Sequence, residues 1–202
     1  MIRKAFFERK TRETRISVDL DIDGSGSAEI RTPVGFFNHM LETFVRHGLF
    51  ELKMEAEGDL HVDQHHLVED CGLALGKAFN KALGDRKGIN RAGYFVYPMD
   101  EALAVVAVDL GGRAFLQYDV SFKRQLCGDM NTDLFEDFFT SLASNLKANV
   151  VVRMPFGRSD HHKIEAVFKA FGRAMRMACS LDPREKGRIP SVKGVIDDDR
   201  DR

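Results

Sequence analysis

What the 202-residue chain has little of narrows its class first. Its three cysteines, Cys71, Cys127 and Cys179, are odd in number, far apart and outside any CxxC spacing. That argues against a disulfide framework or a structural zinc knuckle, and they read as reduced core residues. An excess of one charge is also missing. With 30 Lys and Arg against 31 Asp and Glu, the chain offers no general attraction to nucleic acid or an anionic membrane. Any anionic partner should therefore be small. No stretch approaches the roughly 20 apolar residues of a membrane span. The opening MIRKAFFERKTR carries charge where a signal peptide would be apolar, so the expected location is the cytoplasm.

Histidine is what stands out. Five of the seven fall in two adjacent pairs plus a near neighbour, His61. HHLVED at His65–Asp70 and HHKIEA at His161–Ala166 each place a glutamate four residues after the first histidine. The surroundings repeat as well. RISVDLDI at Arg15–Ile22 alternates as a strand, GSGS supplies a turn, and a short strand near Ala28–Arg31 completes an expected hairpin. Phe36–His47 has helical spacing with Gly48 as its cap, Leu49–Ala56 is a strand, and His65–Leu83 is a helix stopped by Gly84. The second half gives strands at Ala102–Asp109 and Ala114–Val120, a helix at Asp133–Ala148, a strand at Val150–Met154 and a helix at His161–Ser180. Gly76-Lys77-Ala78 aligns with Gly172-Arg173-Ala174, and FFNHML with LFEDFF, which sets His39 opposite Asp137.

These patterns predict an α+β protein of two duplicated ββαβα halves, residues 1–91 and 92–195, each an antiparallel sheet with helices on one face. A strand at Ala92–Tyr97 has no place in that scheme, and residues 196–202, ending DDDRDR, read as a disordered tail.

On a helix, residues four apart share a face whereas neighbours point about 100° apart. His65 with Glu69 can therefore serve one ion while His66 needs another, and the same holds for His161 with Glu165 against His162. His39 and Asp137 are further candidate ligands. An isolated histidine pair at a helix start usually caps the helix, but its repetition at two matched starts favours metal. Imidazole plus carboxylate suits manganese, iron, cobalt, nickel or zinc. Neither HExxH nor HxxEH occurs, which argues against a metallopeptidase.

The chain resembles the imidazoleglycerol-phosphate dehydratases in RKTRET, VGFFNHML, EGDLHVDQHHLVED, KGINRAG, PMDEALA, DLGGR, SDHHKIEAVFKAFGRA and PSVKGV. The resemblance implies dehydration of imidazoleglycerol phosphate to imidazoleacetol phosphate through an enol, a step of histidine biosynthesis. It implies two Mn2+ per active site and a homo-oligomer, a 24-mer of cubic symmetry, with sites at subunit interfaces. The substrate ring, bridging the ions as an imidazolate, would relay electrons to expel the C3 hydroxyl before a base takes the C2 proton. The matched ligands are His39, His65, His66, Glu69, His161, His162 and Glu165, with Asp137 an eighth. Glu13, Glu69 and Glu165 remain open as the base. Glu13, Arg91, Arg113, Lys169, Ser191 and Lys193 lie at substrate-contact positions. Three positions depart from the common pattern: Asn38 stands for Asp, Asp137 for His, and Gln64 for the second Asp of DDHH.

Two other readings fit the ligands alone. A dinuclear hydrolase would turn over an ester, and a metal-buffering shell protein would assemble on metal without binding imidazole phosphates.

Overall fold

The computed structural model describes residues 3–185 and 187–196. The tail expected at 196–202 lies, apart from Ile196, outside the described residues. In chain order the elements are β1 (Lys4–Lys10), β2 (Thr14–Asp21), β3 (Ser27–Arg31), α1 (Gly35–Gly48), β4 (Glu51–Gly58) and α2 (His65–Leu83). They continue with β5 (Ala92–Met99), β6 (Ala102–Asp109), β7 (Phe115–Asp119), β8 (Leu126–Cys127), β9 (Met130–Asn131), α3 (Leu134–Leu146), β10 (Asn149–Phe156) and α4 (Asp160–Cys179).

The two four-stranded sheets have the orders β1-β2-β4-β3 and β5-β6-β10-β7, the same topology twice. The strand without a place, β5, is the counterpart of β1, which sequence reading missed. In β1 the adjacent Phe6 and Phe7 and the half-buried Arg9 blur the alternation, and Phe6 faces outward at 55% exposure. Each half therefore gains a leading strand.

The expected hairpin of Arg15–Ile22 with Ala28–Arg31 does not form. β3 instead pairs in parallel with β4, whose other edge pairs antiparallel with β2. The reason is α1: parallel neighbours need a crossover, and the helix between β3 and β4 provides it. β7, α3 and β10 repeat the unit. Each sheet is thus antiparallel except for one parallel edge.

Apolar residues at alternate strand positions, such as Ile16, Val18 and Leu20, turn to one face and meet the helices. α2 lies on the first sheet and α4 on the second, while α1 packs on α4 and α2 on α3. The two halves hence share one core. Glycine permits the closest approaches. A Cβ on Gly76 would sit 2.6 Å from the Leu142 carbonyl oxygen, and one on Gly172 would sit 2.5 Å from that of Phe44. The repeated Gly-basic-Ala step is therefore a helix-contact feature. Gly48 is not the left-handed cap; Leu49 takes φ 55°, and Gly48 leaves room for the Phe50 ring.

Candidate active site

Packing of α1 on α4 brings the first turns of both helices together. His161 Nε2 lies 3.1 Å from Glu165 Oε2, and His39 Nε2 lies 3.8 Å from the same oxygen. The i,i+4 spacing of HHKIEA sets the first pair, and the helix contact brings the third residue. One donor atom from each residue falls within 4.8 Å of the others, a spacing that could hold a metal ion. Lys169, one turn beyond Glu165, places Nζ 3.0 Å from Oε1 and lies over the Tyr97 ring. Burial works to raise the Glu165 pKa, but the Lys169 hydrogen bond and charge, with His39 and His161, carry it below the ordinary glutamate value.

Packing of α2 on α3 builds the duplicate. His65 Nδ1 is 3.3 Å from Asp137 Oδ2, and His65 Nε2 is 4.0 Å from Glu69 Oε2. Sequence alignment of His39 with Asp137 is thus matched in space, each residue reaching the first histidine of a pair from a neighbouring helix. The second group is looser, with the Glu69 side chain 51% exposed against 12% for Glu165.

The second histidines turn elsewhere, as helix geometry requires. His66 Nδ1 lies 3.1 Å from Asp59 Oδ2, and His162 Nδ1 lies 2.8 Å from Glu101 Oε2. Each carboxylate raises its histidine's pKa by hydrogen bonding to the charged ring. Glu101 falls to about 2, first through His162 and then through the Ser159 N–H. With Nδ1 so engaged, Nε2 is the nitrogen left to bind an ion. Sequence reading missed Asp59 and Glu101. Their only signal is an acidic residue at a strand end, Asp59 after β4 and Glu101 before β6.

Of the expected phosphate contacts, Lys169 sits in the first histidine group, and the others lie elsewhere. Arg91 pairs with Asp109 at 2.7 and 2.9 Å and donates to the Pro190 carbonyl at 3.0 Å. Ser191 Oγ accepts from the Lys193 N–H at 3.2 Å. The Asn149 amide holds the Arg113 carbonyl at 2.7 Å. The Arg91 N–H binds the Ala178 carbonyl at the far end of α4. At 1.5 Å per residue, that end is about 26 Å from His161. Glu13 occupies the exposed β1–β2 turn, its carbonyl accepting from the Asp59 N–H at 3.0 Å. Within one chain, Arg91 therefore does not join either histidine group.

The sequence profile described as imidazoleglycerol-phosphate dehydratase matches residues 32–175. An imidazoleglycerol-phosphate dehydratase of Koribacter versatilis is 53% identical over 195 residues, covering 96% of this chain and all of the relative. One from Chloroflexus aurantiacus is 51% identical, covering 96% and 95% of the two chains. The chain belongs to the imidazoleglycerol-phosphate dehydratase family. Solved structures agree. The Pyrococcus furiosus dehydratase superposes with a TM-score of 0.81 at 33% identity, over 94% of this chain and 99% of that one. The Staphylococcus aureus dehydratase gives 0.78 at 35% identity, over 88% and 99%.

Against the common dehydratase pattern, Asn38 now has a local explanation. Its Oδ1 accepts from the Thr32 N–H at 3.1 Å and its Nδ2 donates to the Thr32 carbonyl at 2.9 Å. An ionised aspartate could not make the second bond. Asn38 thus ties β3 to α1 and sits outside both donor groups.

Proposed function

We propose that the chain is a hydro-lyase that converts imidazoleglycerol phosphate to imidazoleacetol phosphate in histidine biosynthesis, working in the cytoplasm. Family membership carries the reaction. The observation that carries the site is the duplicated histidine–carboxylate group, built twice from equivalent helices. Nitrogen and oxygen donors without thiolate fit manganese, two ions per active site. His39, His161 and Glu165 would hold one side, His65, Glu69 and Asp137 the other, with His66 and His162 offering further nitrogens. The bound ions supply Lewis-acid polarisation of the substrate imidazole.

The protein's own groups do the rest. Lys169 offsets the burial of Glu165 and keeps its carboxylate ionised, ready to bind a cation and, with some loss of basicity, to serve as a candidate base. Glu69 and Glu13, both solvent-accessible, are the other candidate bases for the C2 proton. Departure of the C3 hydroxyl as water and loss of the C2 proton leave an enol that becomes the ketone. Arg91, Arg113, Ser191 and Lys193 are assigned to the phosphate, together with Lys169, where charge-assisted hydrogen bonds are strongest.

The separation of Arg91 from His161 supports a site shared between copies. A substrate with three carbons between ring and phosphate cannot span the length of α4. The outer face of the second sheet supports self-association too. Tyr94, Val96, Phe115 and Phe156 are 49–65% exposed there, whereas Arg15, Asp19, Lys53 and Glu55 cover the first. We assign this surface to contacts within a homo-oligomer of 24 chains. Among the described residues, no helix is long and apolar enough to cross a membrane.

The test is turnover of imidazoleglycerol phosphate by metal-stripped protein, with and without Mn2+. Formation of imidazoleacetol phosphate only with metal is expected. Two bound metals per chain and no product would refute the reaction and favour the hydrolase or shell reading.

A further inference from the structure

The β8–β9 hairpin has no counterpart in the first half. There β3 runs into α1 across three residues, Thr32 to Val34, whereas β7 and α3 are separated by residues 120–133. Its tip touches the starts of two of the four ligand-bearing helices, α1 and α2. Asp129 Oδ2 accepts from the Gly35 N–H at 2.7 Å, and Oδ1 accepts from the Phe36 N–H at 2.8 Å. α1 needs this help, because its own N-cap, Val34, makes no side-chain hydrogen bond and its first turn holds no acid. Gly35 and Phe36 lie four and three residues before His39, on the same helical face.

The same residue reaches the other helix through its main chain. The Gln64 side-chain amide donates to the Asp129 carbonyl at 2.6 Å, and its Oε1 accepts from the Asn131 N–H at 3.2 Å. Gln64 immediately precedes His65. An ionised aspartate at this position would have no donor for the Asp129 carbonyl. Glutamine is thus matched to the hairpin it meets.

The hairpin also packs against the ring between the two histidines of the tighter group. Gly128, at φ 62°, lies against Phe36; a Cβ there would meet the Phe36 side chain at 2.8 Å. The Phe36 ring is edge-on to His161 at 5.1 Å and to His39 at 6.3 Å. Asp129, Gln64 and Gly128 therefore brace three imidazoles without touching any of them.

From this we infer that Asp129 and Gln64 are positioning residues, and that the β8–β9 hairpin couples the two histidine groups by fixing where α1 and α2 begin. Neither residue is a ligand. The inference rests on the ligand assignment proposed above. It predicts that one lesion in the hairpin disturbs both groups together, although they are built from different helices.

The test is Mn2+ titration of metal-stripped full-length protein, counting bound ions by their electron paramagnetic resonance signal, alongside kcat and KM for imidazoleglycerol phosphate. Asp129→Ala should weaken both classes of bound ion by about 10- to 100-fold, the range typical when a ligand loses its outer support. kcat should fall while KM changes little. Asp129→Asn keeps one acceptor for the α1 N–H groups and should recover part of the loss. Gln64→Glu, which keeps the Asn131 contact and deletes only the donor, covers the case in which Asp129→Ala does not fold; it should weaken the His65 class first.

Wild-type stoichiometry and affinity in folded Asp129→Ala, or loss at one class alone, would overturn the coupling. A lowered thermal transition with unchanged metal binding would likewise reduce the hairpin to a structural part. If wild-type protein binds two ions yet forms no product, the dehydratase reading fails while the titration still decides the brace.

Discussion

The two histidine groups come from the same template and have settled differently. In the α1–α4 group Glu165 is nearly enclosed, held by Lys169 and within 3.8 Å of both histidine rings. In the α2–α3 group Glu69 is half in water, and the residue one turn on is Leu73 where the other helix has Lys169. A short acid, Asp137, replaces the imidazole of His39. Duplication preserved the backbone geometry that sets i,i+4 partners, while single side chains decided how tightly each group is preorganised. The difference teaches that one group is held by protein contacts around its carboxylate, whereas the other leaves its carboxylate to solvent.

Metal removal should produce the largest effect, since the proposed site has both groups completed by a neighbouring copy. Chelation to verified loss of metal should abolish dehydration and dissociate the oligomer, as read by sedimentation. An unchanged sedimentation coefficient would show that the apolar face of the second sheet holds the assembly without metal. The two groups would then be catalytic features alone.

The next effect separates the groups directly. Glu165→Gln should lower kcat about 1000-fold, within the range for loss of a proton-transferring group, while the chain still folds. Glu69→Gln should cost less, about 10- to 100-fold, because its carboxylate starts solvated and is less preorganised. Equal losses would mean that assembly closes the open group and erases the difference. Near-normal turnover by Glu165→Gln with metal bound would remove the role assigned to it.

How much of this was legible beforehand depends on the distance over which each signal acts. The i,i+4 pairs are local, so HHLVED and HHKIEA displayed them directly. The pairing of His39 with His161, and of Asp137 with His65, was visible only as an alignment of halves, because the repeat implied equivalent places without saying what filled them. Strand pairing was misread at β2 and β3, since a turn-rich GSGS looks the same whether the next strand returns beside its neighbour or crosses over to a parallel position. Asp59, Glu101 and Asp129 were silent for a different reason. Glu101 acts on a distant helix, Asp129 on main-chain N–H groups and Asp59 on His66 across an irregular loop, and no periodicity marks such contacts.

Asp137→His sharpens the comparison from the opposite side. Restoring an imidazole opposite His65 would make the two groups alike in donor type but remove a hard anionic oxygen, and Mn2+ should bind that group about 10-fold more weakly, as read by titration of metal-stripped protein. An imidazole is also a softer donor, so preference should move toward zinc over manganese. No change in either would mean that Asp137 lies outside the coordination sphere and acts on the orientation of His65 alone.

The smallest effect concerns the second histidines, where Glu101 serves His162 as Asp59 serves His66. Glu101 is held at about 2, below its ordinary 4.5, so its contribution is present above 4.5 and lost as pH falls toward 2. The His162 pKa is raised above 6.5, so its contribution is complete below 6.5 and lost as pH rises through the raised value. Both are fully present only between 4.5 and 6.5. In metal-free protein, Glu101→Gln should therefore lower stability within that window and converge on wild type at either side, measured by urea unfolding across pH. A difference independent of pH would mean that Glu101 acts through its hydrogen bond to Ser159 and not through the charge on His162. Metal-free His66→Ala should lose stability below 6.5 and converge on wild type as pH rises through the raised value of His66. A difference that persisted above that value would mean that His66 contributes by packing and not by its charge.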